Sequence, residues 1–433
     1  MQTNKIVILG SGITGLSVGL KLGNNIYESC SFPGGISTSY YISSKGEKSY
    51  QKSKEELYHF EIGGGHWIFG ADNEILNFIN SLSPVKSYNR KSAVYFPDTE
   101  IYVPYPIQNH LYYLPEEIKE KALKEILRNS QKKVDTVLTM ADYLELNFGK
   151  TLCEIFFFPF HKLYTDGLFT EIAPQDKFKT PIDKNLILEG SKGKTISVGY
   201  NATFVYPKNG LDDLIKKIEQ KCKVKYNKKV VKINIKNKEV LFEDGNGVKY
   251  EKIISSLPLN KVIQMTDIEL DEQLPQYTSV SVINIGAIKG EKCPEYHWLY
   301  IPKSKAGFHR VGFYSNVDSL FLPLNLRKNN DRVSIYVEKA YKGGKKLTDY
   351  EIKKLCNDIV KELQNWKFIK ETEVVDHTFV EIAYTWQYPN SNWLNKAIEI
   401  LKKHNIIQTG RYGKWKFQGI AESIKDGLGI KIL

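Results

Sequence analysis

Three glycines near the start of the chain carry the clearest chemistry. Gly10-Ser11-Gly12-Ile13-Thr14-Gly15 follows the apolar run Lys5-Ile6-Val7-Ile8-Leu9 and opens a segment with Ile13, Leu16, Leu20 and Leu22 on one side. Gly23-Asn24-Asn25 closes that segment, so the pattern reads as strand, tight turn, amphipathic helix, strand. In such a turn Gly10 permits the bend, Gly12 lets the main chain approach a pyrophosphate, and Gly15 lets helix and strand pack closely. The helix start, at Ile13 and Thr14, offers free N–H groups and the positive dipole end to phosphates. Glu28 lies at the end of the second strand, where a carboxylate accepts hydrogen bonds from ribose hydroxyls. This fingerprint requires a dinucleotide and leaves NAD and FAD both open.

Further glycines decide between them. Phe32-Pro33-Gly34-Gly35 comes directly after Glu28, and Phe60-Glu61-Ile62-Gly63-Gly64-Gly65-His66-Trp67 follows a polar stretch at 43–56. Consecutive glycines let the main chain approach a flat ligand with no Cβ in the way. Near the other end, Ile406-Ile407-Gln408-Thr409-Gly410-Arg411-Tyr412-Gly413 reads as a strand running into a glycine turn. A short helix follows over 419–427, and its N-terminus at Gly419 and Ile420 could face the electron-rich edge of a reduced flavin. Cofactor elements from both ends of the chain thus specify FAD, with a substrate-binding region between them.

Together these residues carry a resemblance. The chain resembles the FAD-dependent flavoproteins of glutathione-reductase type that include amine oxidases, protoporphyrinogen oxidase and UDP-galactopyranose mutases. Within that group it is most similar to the mutases. Val103-Pro104-Tyr105-Pro106-Ile107-Gln108-Asn109, Trp298-Leu299-Tyr300, Phe308-His309-Arg310-Val311 with Tyr314-Ser315-Asn316, and Gly410 to Phe417 match that family's short motifs. The resemblance implies an α/β fold, α+β overall: a Rossmann-like FAD-binding domain with an interleaved substrate domain of antiparallel sheet plus helices. We expect residues 1–88, 200–265 and 378–433 in the FAD-binding domain, 89–199 as a mainly helical cap, and 266–377 as the antiparallel-sheet substrate domain.

The resemblance also implies roles. His66 would lie near the flavin ring, Arg310 would pair with a substrate diphosphate, and Arg411 would hold flavin and active site together. Tyr300 and Tyr388 would lend hydroxyls to phosphate oxygens. Tyr105, Gln108 and Trp298 would line the substrate pocket. The family's second diphosphate arginine has no counterpart, since only Lys177 or Lys179 stands near its place, and lysine lacks the guanidinium fork. The implied activity is a flavin-dependent rearrangement of a nucleotide sugar, pyranose to furanose. A hydride-taking oxidoreductase acting on an amine, porphyrinogen or isoprenoid is the alternative, and a non-catalytic flavin-binding protein is the third.

The residues themselves leave competing readings open. An arginine flanked in a strand by Phe308 and Val311 must be paired, either with a ligand phosphate or with a carboxylate such as Glu338. His66 after three glycines serves a ligand or bonds its own turn. The run Phe156-Phe157-Phe158-Pro159-Phe160 reads as helix-core packing, and Cys30 as inert. No catalytic triad or carboxylate pair stands out.

Composition narrows the rest. The 61 basic against 49 acidic residues give a net charge of +12. Much of the excess sits in strand-like stretches such as 221–238, as on a solvated lysine-rich surface. No nucleic-acid-binding motif accompanies it. The five cysteines include no CxxC pair, which argues against a metal site or disulfide framework. No apolar run approaches a membrane span. The chain enters its first strand at once, so we expect a cytoplasmic protein. Its expected partners are a small-molecule substrate, a nucleoside-diphosphate sugar under the mutase reading, and NAD(P)H or another reductant.

Overall fold

The computed structural model describes residues 3–52, 57–129, 139–174, 182–193 and 202–431. Its first sheet has seven strands. Thr3–Leu9 runs parallel between Asn25–Tyr27 and Gly247–Ser255, and Ile406–Gln408 adds in parallel to the far end of Gly247–Ser255. Val7, Ile8, Leu9, Ile253 and Ile254 are fully buried, as a sheet covered on both faces requires. The short edge strand Lys223–Lys225 alternates exposed lysines around Val224, which disfavours pairing with another chain.

The helix Ile13–Leu22 ends at Gly23, whose φ of +69 places it in the left-handed region, with its N–H bonded to the Gly19 carbonyl. Sequence periodicity gave this helix one apolar face; the structure buries a second. Thr14 and Ser17 meet the C-terminal helix Ile420–Leu428, where a Cβ on Gly427 would lie 2.5 Å from the Ser17 Cβ. Small residues on both helices permit this contact.

The second sheet also has seven strands, in the order Ile369–Thr385, Tyr277–Lys289, Arg332–Lys342, Arg310–Phe313, Trp298–Tyr300, Ser92–Phe96, Ile101–Pro104. All neighbours are antiparallel except Trp298–Tyr300 with Ser92–Phe96, which are parallel. Residues 92–104, expected in the helical region, therefore form one edge of this sheet. The strand Ile369–Thr385 runs through the boundary expected at 377/378. The helix Asp349–Asn365 covers one face and buries Leu355, Ile359 and Leu363.

A helical group lies at the edge of this sheet. Glu116–Asn129 and Met140–Leu152 share a core with Phe156 and Phe157, which are almost fully buried. The phenylalanine run is core packing there, in a π-helical turn over Cys153–Phe157. The five cysteines are free thiols. Among the described residues, no helix is long and apolar enough to cross a membrane.

Candidate functional site

Three glycine segments far apart in sequence close on the first turn of the helix Ile13–Leu22. Gly10 has φ +90, and a Cβ on Gly15 would sit 1.8 Å from the Gly10 carbonyl oxygen, so this strand–turn–helix contact requires glycine at 15. The Gly34 N–H donates to the Ser11 carbonyl at 2.9 Å, and a Cβ on Gly35 would touch the Gly12 Cα at 3.4 Å. Gly410, with φ +73, faces Thr14; a Cβ there would lie 2.3 Å from its hydroxyl oxygen. By contrast, a Cβ on Gly12 would meet nothing within 4 Å. That open space borders the helix N-terminus, where a pyrophosphate is stabilised by N–H groups and the helix dipole.

Glu28 sits where the ribose is expected. Its Oε2 accepts from the Ser11 N–H at 2.7 Å and the Ser11 hydroxyl at 2.8 Å. Oε1 accepts from the Cys30 N–H at 2.9 Å and the Ser29 hydroxyl at 3.0 Å. The two main-chain donors fix the carboxylate; the two hydroxyl donors can rotate away and yield their lone pairs to a ribose. The open space at Gly12, the fixed carboxylate and the adjoining helix start together fit FAD. At the other candidate helix start, the Gly419 N–H donates to Glu422 Oε2 at 2.9 Å, and Ile420 is buried.

The Gly63–His66 turn connects this cradle to the second sheet. A Cβ on Gly64 would lie 3.1 Å from Glu338 Oε1, and one on Gly65 would lie 2.7 Å from the Tyr336 hydroxyl. Glu338 and Arg310 face each other in the antiparallel register, with Nη1 3.1 Å from Oε1. Of the two partners open to Arg310, the structure provides the carboxylate. Glu338 is buried, which raises its pKa, but Arg310 and His309 outweigh burial and hold it at about 2. His309 approaches Glu338 Oε2 to 3.4 Å, and burial pushes its own pKa down.

Tyrosines surround this pair. The guanidinium of Arg310 lies 5.6 Å from the Tyr300 ring centre, and Tyr105 packs on Tyr300 at 4.3 Å between ring centres. Tyr164 contacts Tyr384 at 4.7 Å and His309 at 5.2 Å. Burial pushes the Tyr384 hydroxyl up to about 12. Phe160, at the end of the phenylalanine run, packs edge-on against Tyr300. The arrangement offers an arginine side chain, 24% accessible, in a wall of aromatic rings. Such a site can take an anionic group beside a flat or sugar-like body.

Other expected residues stand differently. Arg411 donates to the carbonyls of Gln418 at 3.1 Å and Ala383 at 2.7 Å, with the Phe417 ring 4.6 Å away. It ties the C-terminal loop to the second sheet. The Tyr388 hydroxyl accepts from Gln276 at 2.8 Å, and the Tyr384 ring lies 5.5 Å from the Arg411 guanidinium. Gln108 is fully buried, so of the VPYPIQN segment Tyr105 is the pocket-side residue. Trp298 packs in the core with Phe69 and Phe204, and its indole N–H finds no partner among the described residues. The His66 Nδ1 bonds the Gly64 carbonyl oxygen at 2.8 Å, as a turn histidine does. Lys177 and Lys179 lie outside the described residues.

Glu338, Tyr384, Tyr336 and Glu61 were not singled out as site residues from sequence. The available signal was an acid in each of two apolar strands, Phe60-Glu61-Ile62 and Val337-Glu338. Among the described residues no group of three or more acidic, cysteine or histidine side chains could hold a metal ion.

The fold places the glycine cradle on one sheet and the Arg310–Glu338 pair with its tyrosines on the other. The chain belongs to the flavin containing amine oxidoreductase family, whose model matches residues 15–399. It is an FAD-dependent enzyme. Its fold is similar to that of reduced UDP-galactopyranose mutase, with 22% identity, TM-score 0.80, and coverage of 99% of this chain and 93% of the other. A putative protoporphyrinogen oxidase from Exiguobacterium sp. 255-15 matches at 12% identity and TM-score 0.71, covering 99% and 98%. A putrescine oxidase bound to putrescine matches at 12% identity and TM-score 0.60, again covering 99% and 98%.

Proposed function

We propose that the enzyme acts on a nucleoside-diphosphate sugar as a mutase, interconverting pyranose and furanose rings to supply a cell-surface polysaccharide precursor. The observation that carries this reading is Arg310, partly exposed in a tyrosine wall beside the Gly63–His66 turn. The likeness of the whole chain to reduced UDP-galactopyranose mutase supports it. Bound FAD, reduced by NAD(P)H or another reductant, would supply the nucleophile for the sugar's anomeric carbon.

The chain's own residues bind, orient and exclude water. Gly10, Gly12, Gly15, Gly34, Gly35 and Gly410 shape the cradle, with Glu28 on the ribose. Arg310 holds the departing diphosphate near the carbon it must rejoin, which keeps recombination intramolecular. Tyr300 and Tyr384 flank those oxygens, and Tyr105 backs the sugar or base. Free thiols throughout fit a cytoplasmic setting.

A second reading has its own observation. Glu338 already neutralises Arg310, so the wall carries little net positive charge. That favours an uncharged or cationic substrate giving up a hydride, as in an amine or isoprenoid oxidoreductase.

Titration calorimetry with UDP separates the two. The mutase reading predicts that Arg310→Ala weakens UDP binding by about 1.5–3 kcal/mol, the worth of a charged hydrogen bond, while FAD content is kept. Equal UDP affinity in both proteins removes Arg310 from the site and leaves the oxidoreductase reading.

A further inference from the structure

Glu61 is buried to 0% exposure at the end of the strand Tyr58–Glu61. A carboxylate there must be matched by donors. Its Oε2 accepts the His66 N–H at 2.7 Å and lies 3.5 Å from His66 Nδ1. Its Oε1 accepts from the Tyr206 hydroxyl. The Glu61 carbonyl in turn accepts from Asn284 at 3.1 Å, so side chain and backbone are both fixed.

The imidazole of His66 is held just as closely. Because Nδ1 faces two acceptors, the Gly64 carbonyl at 2.8 Å and the Glu61 carboxylate, it must carry the ring proton. Nε2 is then left with a lone pair. The ring lies over Gly63, where a Cβ would come 2.3 Å from Cε1, so only glycine allows this placement. The side chain keeps 16% exposure, and the turn that carries it rests against Glu338 and Tyr336.

We propose that Glu61 and His66 form a proton-accepting pair, with Glu61 as the positioning residue and His66 Nε2 as the acceptor of a substrate proton. This rests on the reading that the Gly63–His66 turn lines the flavin and substrate site. In the step, an O–H or N–H bond of the substrate breaks and an N–H bond forms on Nε2. The imidazolium charge is met by the Glu61 carboxylate, and the proton returns by the reverse path. The Tyr206 hydroxyl, bonded to Oε1, holds the Glu61 carboxylate turned toward the ring.

Nitrogen-15 NMR of histidine-labelled, FAD-loaded protein tests this without any substrate, with His66→Asn assigning the signal. The proposal predicts a single Nδ1–H tautomer for His66 in the unaltered protein. It also predicts that Glu61→Gln lowers the proton affinity of His66 roughly tenfold or more, while Glu61→Asp restores most of it. An Nε2–H tautomer in the unaltered protein overturns the proposal, and that measurement does not depend on any variant folding. Equal His66 titration in Glu61→Gln also overturns it, reducing Glu61 to a cap on the turn. Neither result bears on whether a nucleotide sugar is the substrate.

Discussion

Replacing Glu338 by glutamine separates what the buried pair does for the fold from what Arg310 does for a ligand. Glu338 is 3% exposed, and Arg310 faces it at 3.1 Å. Its carboxyl is held at about 2 against an ordinary 4.5, and that difference corresponds to about 3 kcal/mol of native-state stabilisation. Loss of one partner from a buried ion pair costs a similar amount, about 3–5 kcal/mol. Because the folded pKa is depressed, this stability is present in full above pH 4.5 and is lost as pH falls toward 2. Glu338→Gln should therefore lose about 3 kcal/mol in urea denaturation at pH 7 and show no such dependence between pH 4.5 and 2. The same change frees the guanidinium, so UDP should bind the variant more tightly than the unaltered protein. Saturating UDP should return part of the lost stability, about 2.7 kcal/mol at a hundred times its Kd. Unchanged stability would refute the pairing. Lost stability with no gain in UDP affinity would refute the assignment of Arg310 to phosphate.

Other residues give narrower expectations. Gly12→Val, which points into open space, should leave far-UV circular dichroism intact while abolishing the flavin absorbance of the purified protein. Gly15→Ala, which meets the Gly10 carbonyl at 1.8 Å, should impair folding itself, read as a lowered urea midpoint. His297 accepts the Lys91 N–H at 3.3 Å, and burial with nearby Lys91 lowers its pKa from 6.5 to about 4. It must charge on unfolding below pH 6.5, so its stability contribution falls by about 3 kcal/mol from pH 6.5 to 4. His297→Gln should flatten that slope in denaturation measured across this range. Arg411→Met loses two charge-assisted bonds to carbonyls, and should cost at least about 2 kcal/mol by urea denaturation.

The parts legible in the sequence were those written in local spacing. Gly10, Gly12, Gly15 and Glu28 occupy one strand–turn–helix–strand unit, and its geometry follows from a few dozen consecutive residues. Long-range register was not legible. Gly410 meets Thr14 only because Ile406–Gln408 joins the sheet beside Gly247–Ser255. Arg310 meets Glu338 because two strands pair without a shift, and sequence could only name that carboxylate as one partner among others. Tyr384 was not singled out for the same reason: it lies within the strand Ile369–Thr385, whose pairing sets which of its residues face Arg310, whereas Tyr388 lies beyond that strand. The hairpin of Ser92–Phe96 and Ile101–Pro104 was absorbed into a helical region because it joins the sheet only through Trp298–Tyr300, some two hundred residues later. Glu61 shows what a closer reading recovers, since an acid between Phe60 and Ile62 must find donors wherever it is buried.

In a mutase, reduced flavin and a nucleotide sugar must meet beside Arg310. The direct measurement is anaerobic incubation of the dithionite-reduced, FAD-loaded enzyme with UDP-galactopyranose and with UDP-galactofuranose, with products separated by chromatography. The expected result is interconversion of the two forms by reduced but not oxidised enzyme, and its loss in Arg310→Ala. No conversion in either direction, together with bleaching of the oxidised flavin by an amine or isoprenoid, would contradict it.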